Sequence, residues 1–250
     1  MRTLIISDIH LGSRHTNVTL LNEMLDREPF DRLILNGDTI HSVNLRKLNG
    51  AHWALLNRFR KLARSRELIL IRGNHDHEAD HVPYHLANTN GANGTATSNG
   101  NGAAEHDIGT VSVLPGLLEV PMREDYRLDV DGEPYLVLHG DRFDPTLNYP
   151  MVTEAACVCY QLTTRVNKKL AKWLKKKSKR WSGVLQFVRG QSVLHGQSEG
   201  VRGVITGHTH FAEDSQVDQI HYLNTGCWTE YPYSYIAIDG GKVSLNHPAE

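Results

Sequence analysis

Five short segments of the chain end in side chains able to hold a metal ion. They read Ser7-Asp8-Ile9-His10, Asn36-Gly37-Asp38, Gly73-Asn74-His75-Asp76, His139-Gly140-Asp141 and Gly207-His208-Thr209-His210. Carboxylate, imidazole and amide oxygen together suit a borderline divalent ion such as Mn, Fe(II) or Zn. One carboxylate can bridge two such ions about 3.5–4 Å apart. In Asp8-x-His10 and His208-x-His210, alternate side chains share one face of an extended segment. Singly, each group has an ordinary explanation: Asp38 or Asp76 caps a helix, Asn74 sits in a turn, His139 is structural. Two alternate histidines after a buried strand and a glycine serve packing poorly, and the whole set favours a metal centre.

Each group follows an apolar run: Leu4-Ile5-Ile6, Leu33-Ile34-Leu35, Leu68-Ile69-Leu70-Ile71, Leu136-Val137-Leu138 and Val204-Ile205. Runs this short, bounded by Gly, Asn and Asp, read as buried strands. Between the first three, Leu20, Leu21, Met24 and Leu25 have helical spacing, as do Leu45, Leu48, Leu55, Leu56, Phe59 and Leu62. Strands alternating with helices imply an α/β sheet covered on both faces. Ligand sites of such sheets lie outside the carboxyl ends of the strands, where scattered groups converge. Asp131-Gly132 and Asp239-Gly240 look like hairpin turns, so the C-terminal part is expected to be antiparallel, in a mixed sheet or two facing sheets.

The 250 residues fit one domain spanning 1–250. A formal net charge of -1 excludes a chain-wide polycation built for nucleic acid. No stretch reaches the ~20 apolar residues of a membrane-spanning helix. The N-terminus lacks a signal-peptide layout and three cysteines make an odd count, so a cytoplasmic protein is expected. Residues 88–104, rich in Asn and Gly, read as a flexible loop. Residues 145–200 read as a helical insertion, in which Leu162, Val166, Leu170, Trp173 and Leu174 form one stripe. Across 162–180 the other face carries nine basic residues, Arg165 to Arg180, with no acid among them, leaving -10 on the rest of the chain. That stripe fits packing on the protein, and the basic face also suits a membrane surface. Nucleic acid is disfavoured, although Trp173 and Trp181 leave it open. Cys157-x-Cys159 has the wrong spacing for a zinc ribbon and reads as buried helix cysteines. His41, His52, His77, His81 and His85 fall in or near loops and read as surface histidines, with His77 and His81 able to line a cleft.

The ordered set of five groups, spanning residues 8 to 210, resembles the calcineurin-like metallophosphoesterase superfamily. The resemblance implies a two-sheet α/β sandwich with flanking helices, the insertion serving as a helical lid. It implies a dinuclear centre for two divalent ions, Mn first, with Fe or Zn as alternatives. Asp8, His10 and His210 would hold one ion, Asn74, His139 and His208 the other, and Asp38 would bridge. A bridging water, acidified by both ions, would attack phosphorus in line. His75, not a ligand, would contact the phosphate or protonate the leaving oxygen, oriented by Asp76. Within the superfamily, His139-Gly140-Asp141-Arg142-Phe143-Asp144, the basic helix and Tyr222-Leu223-Asn224-Thr225-Gly226-Cys227-Trp228 are similar to the UDP-2,3-diacylglucosamine hydrolases of lipid A synthesis. That implies a UDP-sugar lipid substrate and peripheral contact with the inner membrane surface. The alternatives are a broad-specificity phosphodiesterase or phosphatase for nucleotides, phosphoproteins or nucleic acid ends, and a non-catalytic binding module.

Overall fold

The computed structural model describes residues 1–42, 44–77, 113–148 and 179–249. All five apolar runs lie on strands. β1 (Thr3–Ile6), β2 (Arg32–Asn36) and β3 (Glu67–Ile71) are parallel and in register, Leu4 opposite Leu33 and Leu33 opposite Leu68. The short β4 (Met122–Arg123) extends them in parallel. On the other side, β10 (Tyr235–Asp239) runs antiparallel to β1 and pairs with β11 (Lys242–Asn246). The second sheet has the order β5 (Asp125–Val130), β6 (Glu133–Leu138), β7 (Gly203–Thr206), β9 (Ile220–Asn224) and β8 (Glu213–Val217). Both sheets are mixed, and they face one another.

The strand period of two sorts side chains between two layers. Ile5, Ile34, Ile69, Ile236 and Ile238 of the first sheet pack against Val137, Ile205 and Leu223 of the second. Leu4, Leu33, Leu35, Leu68 and Leu70 point the other way, onto α1 (Val18–Arg27), α2 (Gly50–Ser65) and α4 (Val113–Leu118). Leu136, Leu138, Val204 and Tyr222 leave the second sheet on its outer face and meet Val193 of α5 (Lys179–Ser198). Four layers result, helix, sheet, sheet, helix, the two-sheet sandwich that the resemblance implied, and of the two arrangements the spacing left open, two facing sheets is the one found.

The helical spacing over 45–62 resolves into a 3-10 turn at Leu45–Lys47 and α2 beginning at Gly50. Asp131 and Gly132, with φ of 55° and 84°, form the expected tight turn between β5 and β6. The last hairpin turns at Gly240-Gly241, one residue later than expected, because Asp239 is still paired with Lys242. The expected loop 88–104, the basic helix 162–180 up to its last two residues, Cys157, Cys159, His81 and His85 lie outside the described residues. Among the described residues, no helix is long and apolar enough to cross a membrane.

Candidate metal centre

The β1–β2 ladder continues past both strands and carries the first ligand groups with it. Asp8 N donates to Gly37 O at 3.1 Å, His10 N to Asp38 O at 2.9 Å and Leu11 N to Thr39 O at 2.9 Å. Similar contacts tie in the remaining strand ends. Gly207 N donates to His139 O at 3.0 Å, His208 N to Asp8 Oδ2 at 3.0 Å and His75 N to Asp38 Oδ1 at 2.9 Å. At Gly73 the loop runs so close that an added Cβ would lie 2.3 Å from Asp38 N and Oδ1. Asn224, at the end of β9, holds the last group: its amide donates to Gly207 O at 2.6 Å, Thr206 Oγ1 at 3.0 Å and Thr209 Oγ1 at 3.1 Å.

Five expected ligands have left-handed backbone: Asp8 (φ 52°), His10 (51°), Asp38 (51°), His208 (65°) and His210 (59°). Only three other non-glycine described residues share it: Glu119, Asp131 and Asp218. Such conformations are uncommon outside glycine and persist where surrounding structure enforces them, which is typical of functional sites.

The seven expected ligands converge. In one set, His10 Nε2 lies 3.1 Å from His210 Nε2, His210 Nε2 3.2 Å from Asp8 Oδ1, and His10 Nε2 3.8 Å from Asp8 Oδ1. In the other, His208 Nδ1 lies 3.1 Å from Asn74 Oδ1 and His139 Nε2 3.5 Å from Asp38 Oδ1. Asp38 divides its carboxylate between them, for its Oδ2 is 3.5 Å from His10 Nε2. Ligands about 2.0–2.2 Å from a common ion stand roughly 3–3.5 Å apart, so most of these separations fit coordination. Two buried atoms of these sets, Asp8 Oδ1 and His139 Nε2, make no hydrogen bond among the described residues and meet only the other ligand groups. Groups buried like this without a partner are rare in folded proteins, and a cation would satisfy both. The clusters are compatible with a binuclear site.

Charge in the cleft is balanced by protons in the metal-free state. Burial alone would raise Asp8, but His210 and His139 overcome it and hold the carboxyl at about 2. Asp38 is likewise held well below the usual range, burial being outweighed by His139 and His10. Burial would lower His139, yet Asp38 and Asp8 raise it to about 10. His210 is raised well above the ordinary imidazole value, Cys227 and Asp8 outweighing its burial. His10 goes the other way, pushed by burial to about 3 against the pull of Asp38.

His75 lies at the cleft edge, its side chain 32% exposed and its Nε2 4.0 Å from Asp38 Oδ2. Asp76 does not orient it. The Asp76 carboxylate is fully buried and accepts backbone N–H groups of Gly73 at 3.1 Å, Ile40 at 3.2 Å and Thr39 at 3.4 Å, while His75 Nδ1 donates to the His41 carbonyl at 3.0 Å. Asp76 therefore braces the loops after β2 and β3, and burial beside Asp38 raises its carboxyl to about 7.

Two histidines expected at the surface lie elsewhere. His52 is buried in the first turn of α2, where its Nδ1 accepts from Asn49 N at 3.3 Å and Gly12 N at 3.2 Å. His41 stands in the site, Nδ1 to Nδ1 3.4 Å from His10, its ring stacked on His75. Asp144, absent from the expected set, accepts from His208 Nε2 at 2.8 Å, which turns the Nδ1 side of that ring toward Asn74. A carboxylate behind a metal-facing histidine fixes ring and tautomer. Its sequence signal is its place at the end of the His139–Asp144 motif, where nothing marks it as a partner of His208.

A family model for calcineurin-like phosphoesterases matches residues 1–212. The chain belongs to this family. It is thus a metal-dependent phosphoesterase, and its two mixed sheets with flanking helices fit the metallophosphoesterase sandwich. Solved structures similar to the chain include Yfce, a phosphoesterase from E. coli (14% identity, 100% of each chain covered, TM-score 0.48). Others are an archaeal phosphodiesterase (15% identity, 99% of each chain, TM-score 0.48) and wild-type Vps29 complexed with zinc from Entamoeba histolytica (14% identity, 98% of this chain and 97% of that one, TM-score 0.44). No curated protein matches the sequence.

Proposed function

We propose that the protein hydrolyses a phosphoester or phosphoanhydride bond with two divalent ions, Mn first among them. Asp8, His10 and His210 would hold one ion, Asn74, His139 and His208 the other, with Asp38 shared between the two sets. The observation that carries this is the convergence of all seven groups on one cleft, with Asp8 Oδ1 and His139 Nε2 buried there without a hydrogen bond among the described residues. Two ions held there would supply Lewis acidity toward water and the phosphoryl oxygens. The chain supplies the rest. His75, held through Nδ1 by the His41 carbonyl, presents Nε2 at the cleft edge and delivers its proton to the leaving oxygen. Asp144 keeps His208 in place, and Asn224 keeps the loop bearing His208 and His210 in place.

For substrate, we propose a UDP-linked diacylated sugar met at the inner membrane surface of the cytoplasm, the basic segment 162–180 contacting anionic lipid. Support comes from the His139–Asp144 motif and from the charge of that segment. One observation favours the second reading, a broad-specificity phosphodiesterase or phosphatase. The Asn224–Trp228 tail, part of the resemblance to the diacylglucosamine hydrolases, is occupied in bracing the metal cleft: Trp228 N donates to Asp8 O at 3.1 Å and Gly226 N to Asn224 Oδ1 at 2.9 Å. Such a role is independent of substrate.

Turnover of UDP-2,3-diacylglucosamine, a generic phosphodiester and a phosphopeptide by Mn-loaded protein separates the readings. Preference for the first, lost in Asp38→Asn and His75→Ala, is expected. Equal slow turnover of all three favours broad specificity, and no turnover of any refutes the hydrolytic role.

A further inference from the structure

We infer that His41 is a positioning residue that sets the tautomer of His10, and so decides whether His10 can serve as a ligand; this rests on the binuclear reading above. His10 is 4% exposed, and its Nε2 faces His210, Asp38 and Asp8. To offer a lone pair there, the neutral ring must carry its proton on Nδ1. A buried N–H needs an acceptor. His41 Nδ1, 3.4 Å from His10 Nδ1, is that acceptor, which places the His41 proton on Nε2.

The backbone holds His41 to this task. His41 N donates to Leu11 O at 2.9 Å, and Leu11 pairs with Ile40 in a parallel bridge beyond the ends of β1 and β2. The segments bearing His10 and His41 are thereby locked in register. His41 also ties the two halves of the proposed chemistry together. Its ring stacks on His75 with centroids 5.2 Å apart and planes 22° from parallel, and its carbonyl accepts from His75 Nδ1. One residue thus orients a proposed ligand and the proposed proton donor, through different atoms.

The test is titration of the metal-free full chain with Co2+, followed by calorimetry and by the visible absorption of the bound ion. Wild type is expected to take two ions. His41→Phe keeps a ring against His75 and removes the acceptor; the affinity of one ion should fall about 10- to 100-fold and its absorption band should change, the other ion holding within about threefold. His41→Asn, whose amide oxygen stands close to the lost Nδ1, should keep both ions within about threefold. Equal affinities in wild type and His41→Phe, equal losses in Phe and Asn, or equal weakening of both ions would overturn the inference. A variant that does not fold leaves a second measurement on wild type. Long-range 1H–15N NMR should show His10 as the Nδ1–H and His41 as the Nε2–H tautomer, and a His10 protonated on Nε2 alone overturns it. Fewer than two ions on wild type defeats the binuclear reading itself, whatever the His41 variants do.

Discussion

Metal binding to this cleft should release protons, and the metal-free charge state says how many. At neutral pH Asp8 at about 2 and Asp38 well below the usual range are carboxylates, and His10 at about 3 is a neutral imidazole, so none of the three carries an extra proton that blocks an ion. His139 at about 10, with Asp38 and Asp8 outweighing its burial, and His210, raised well above the ordinary value, do. A proton on either imidazole must leave before its nitrogen can bind an ion. One lies in each proposed ligand set. Each ion therefore displaces at least one proton near pH 7, and its Kd should tighten about tenfold per pH unit, about 1.4 kcal/mol. Asp76, raised to about 7 by burial and by Asp38, adds to the count below that pH. The sign for the empty protein is opposite. A folded-state pKa above the ordinary 6.5 stabilises the fold below pH 6.5, and that contribution fades as pH rises toward 10. Alkali should thus loosen the metal-free protein while strengthening the loaded one. Calorimetric titration in two buffers of different ionisation enthalpy reads the proton count directly, and at least two in total are expected. A count below one, or affinities flat between about pH 6.5 and 8, would refute the charge assignment.

Gly73→Ala should drive a Cβ into Asp38, weakening both ions together and costing about 1–3 kcal/mol in urea melts. By contrast, Gly190→Ala in α5, where a Cβ meets nothing within 4 Å among the described residues, should stabilise by about 0.5–1 kcal/mol and leave metal titrations unchanged. Asn224→Ala strips buried partners from Gly207 O and Gly226 N, so a loss of about 2–4 kcal/mol is expected, with weaker binding of both ions; an unchanged melt would contradict its bracing role. Asp144→Ala should weaken one ion about 10- to 100-fold and spare the other, read by titration; equal weakening of both would show that Asp144 supports the cleft in general.

What the sequence made legible was the part governed by short-range rules. The strands were visible because runs such as Leu33-Ile34-Leu35 are apolar on both faces, and a strand buried on both sides must be. The seven ligand groups were visible because each directly follows such a run. What stayed hidden depends on register and backbone shape. His41 reads as a loop histidine until the ladder beyond β1 and β2 sets it beside His10. Asp76 looks like a partner for its neighbour His75, but the four-residue turn α3 (Asn74–His77) sends its carboxylate into the loops instead. His52 did leave a signal. Asn49, three residues before it, caps α2 in a box where imidazole replaces the usual Glu or Gln. α5 showed weakly because Gly196, with no side chain of its own, stands against Val201, Val204 and Ile220 on its buried face.

Anomalous diffraction from crystals of the Mn-loaded protein tests the binuclear centre most directly. Two peaks about 3.5–4 Å apart are expected, one on each side of the Asp38 carboxylate, with His139 and His208 on one and His10 and His210 on the other. A single peak, or none near Asp38, would contradict it.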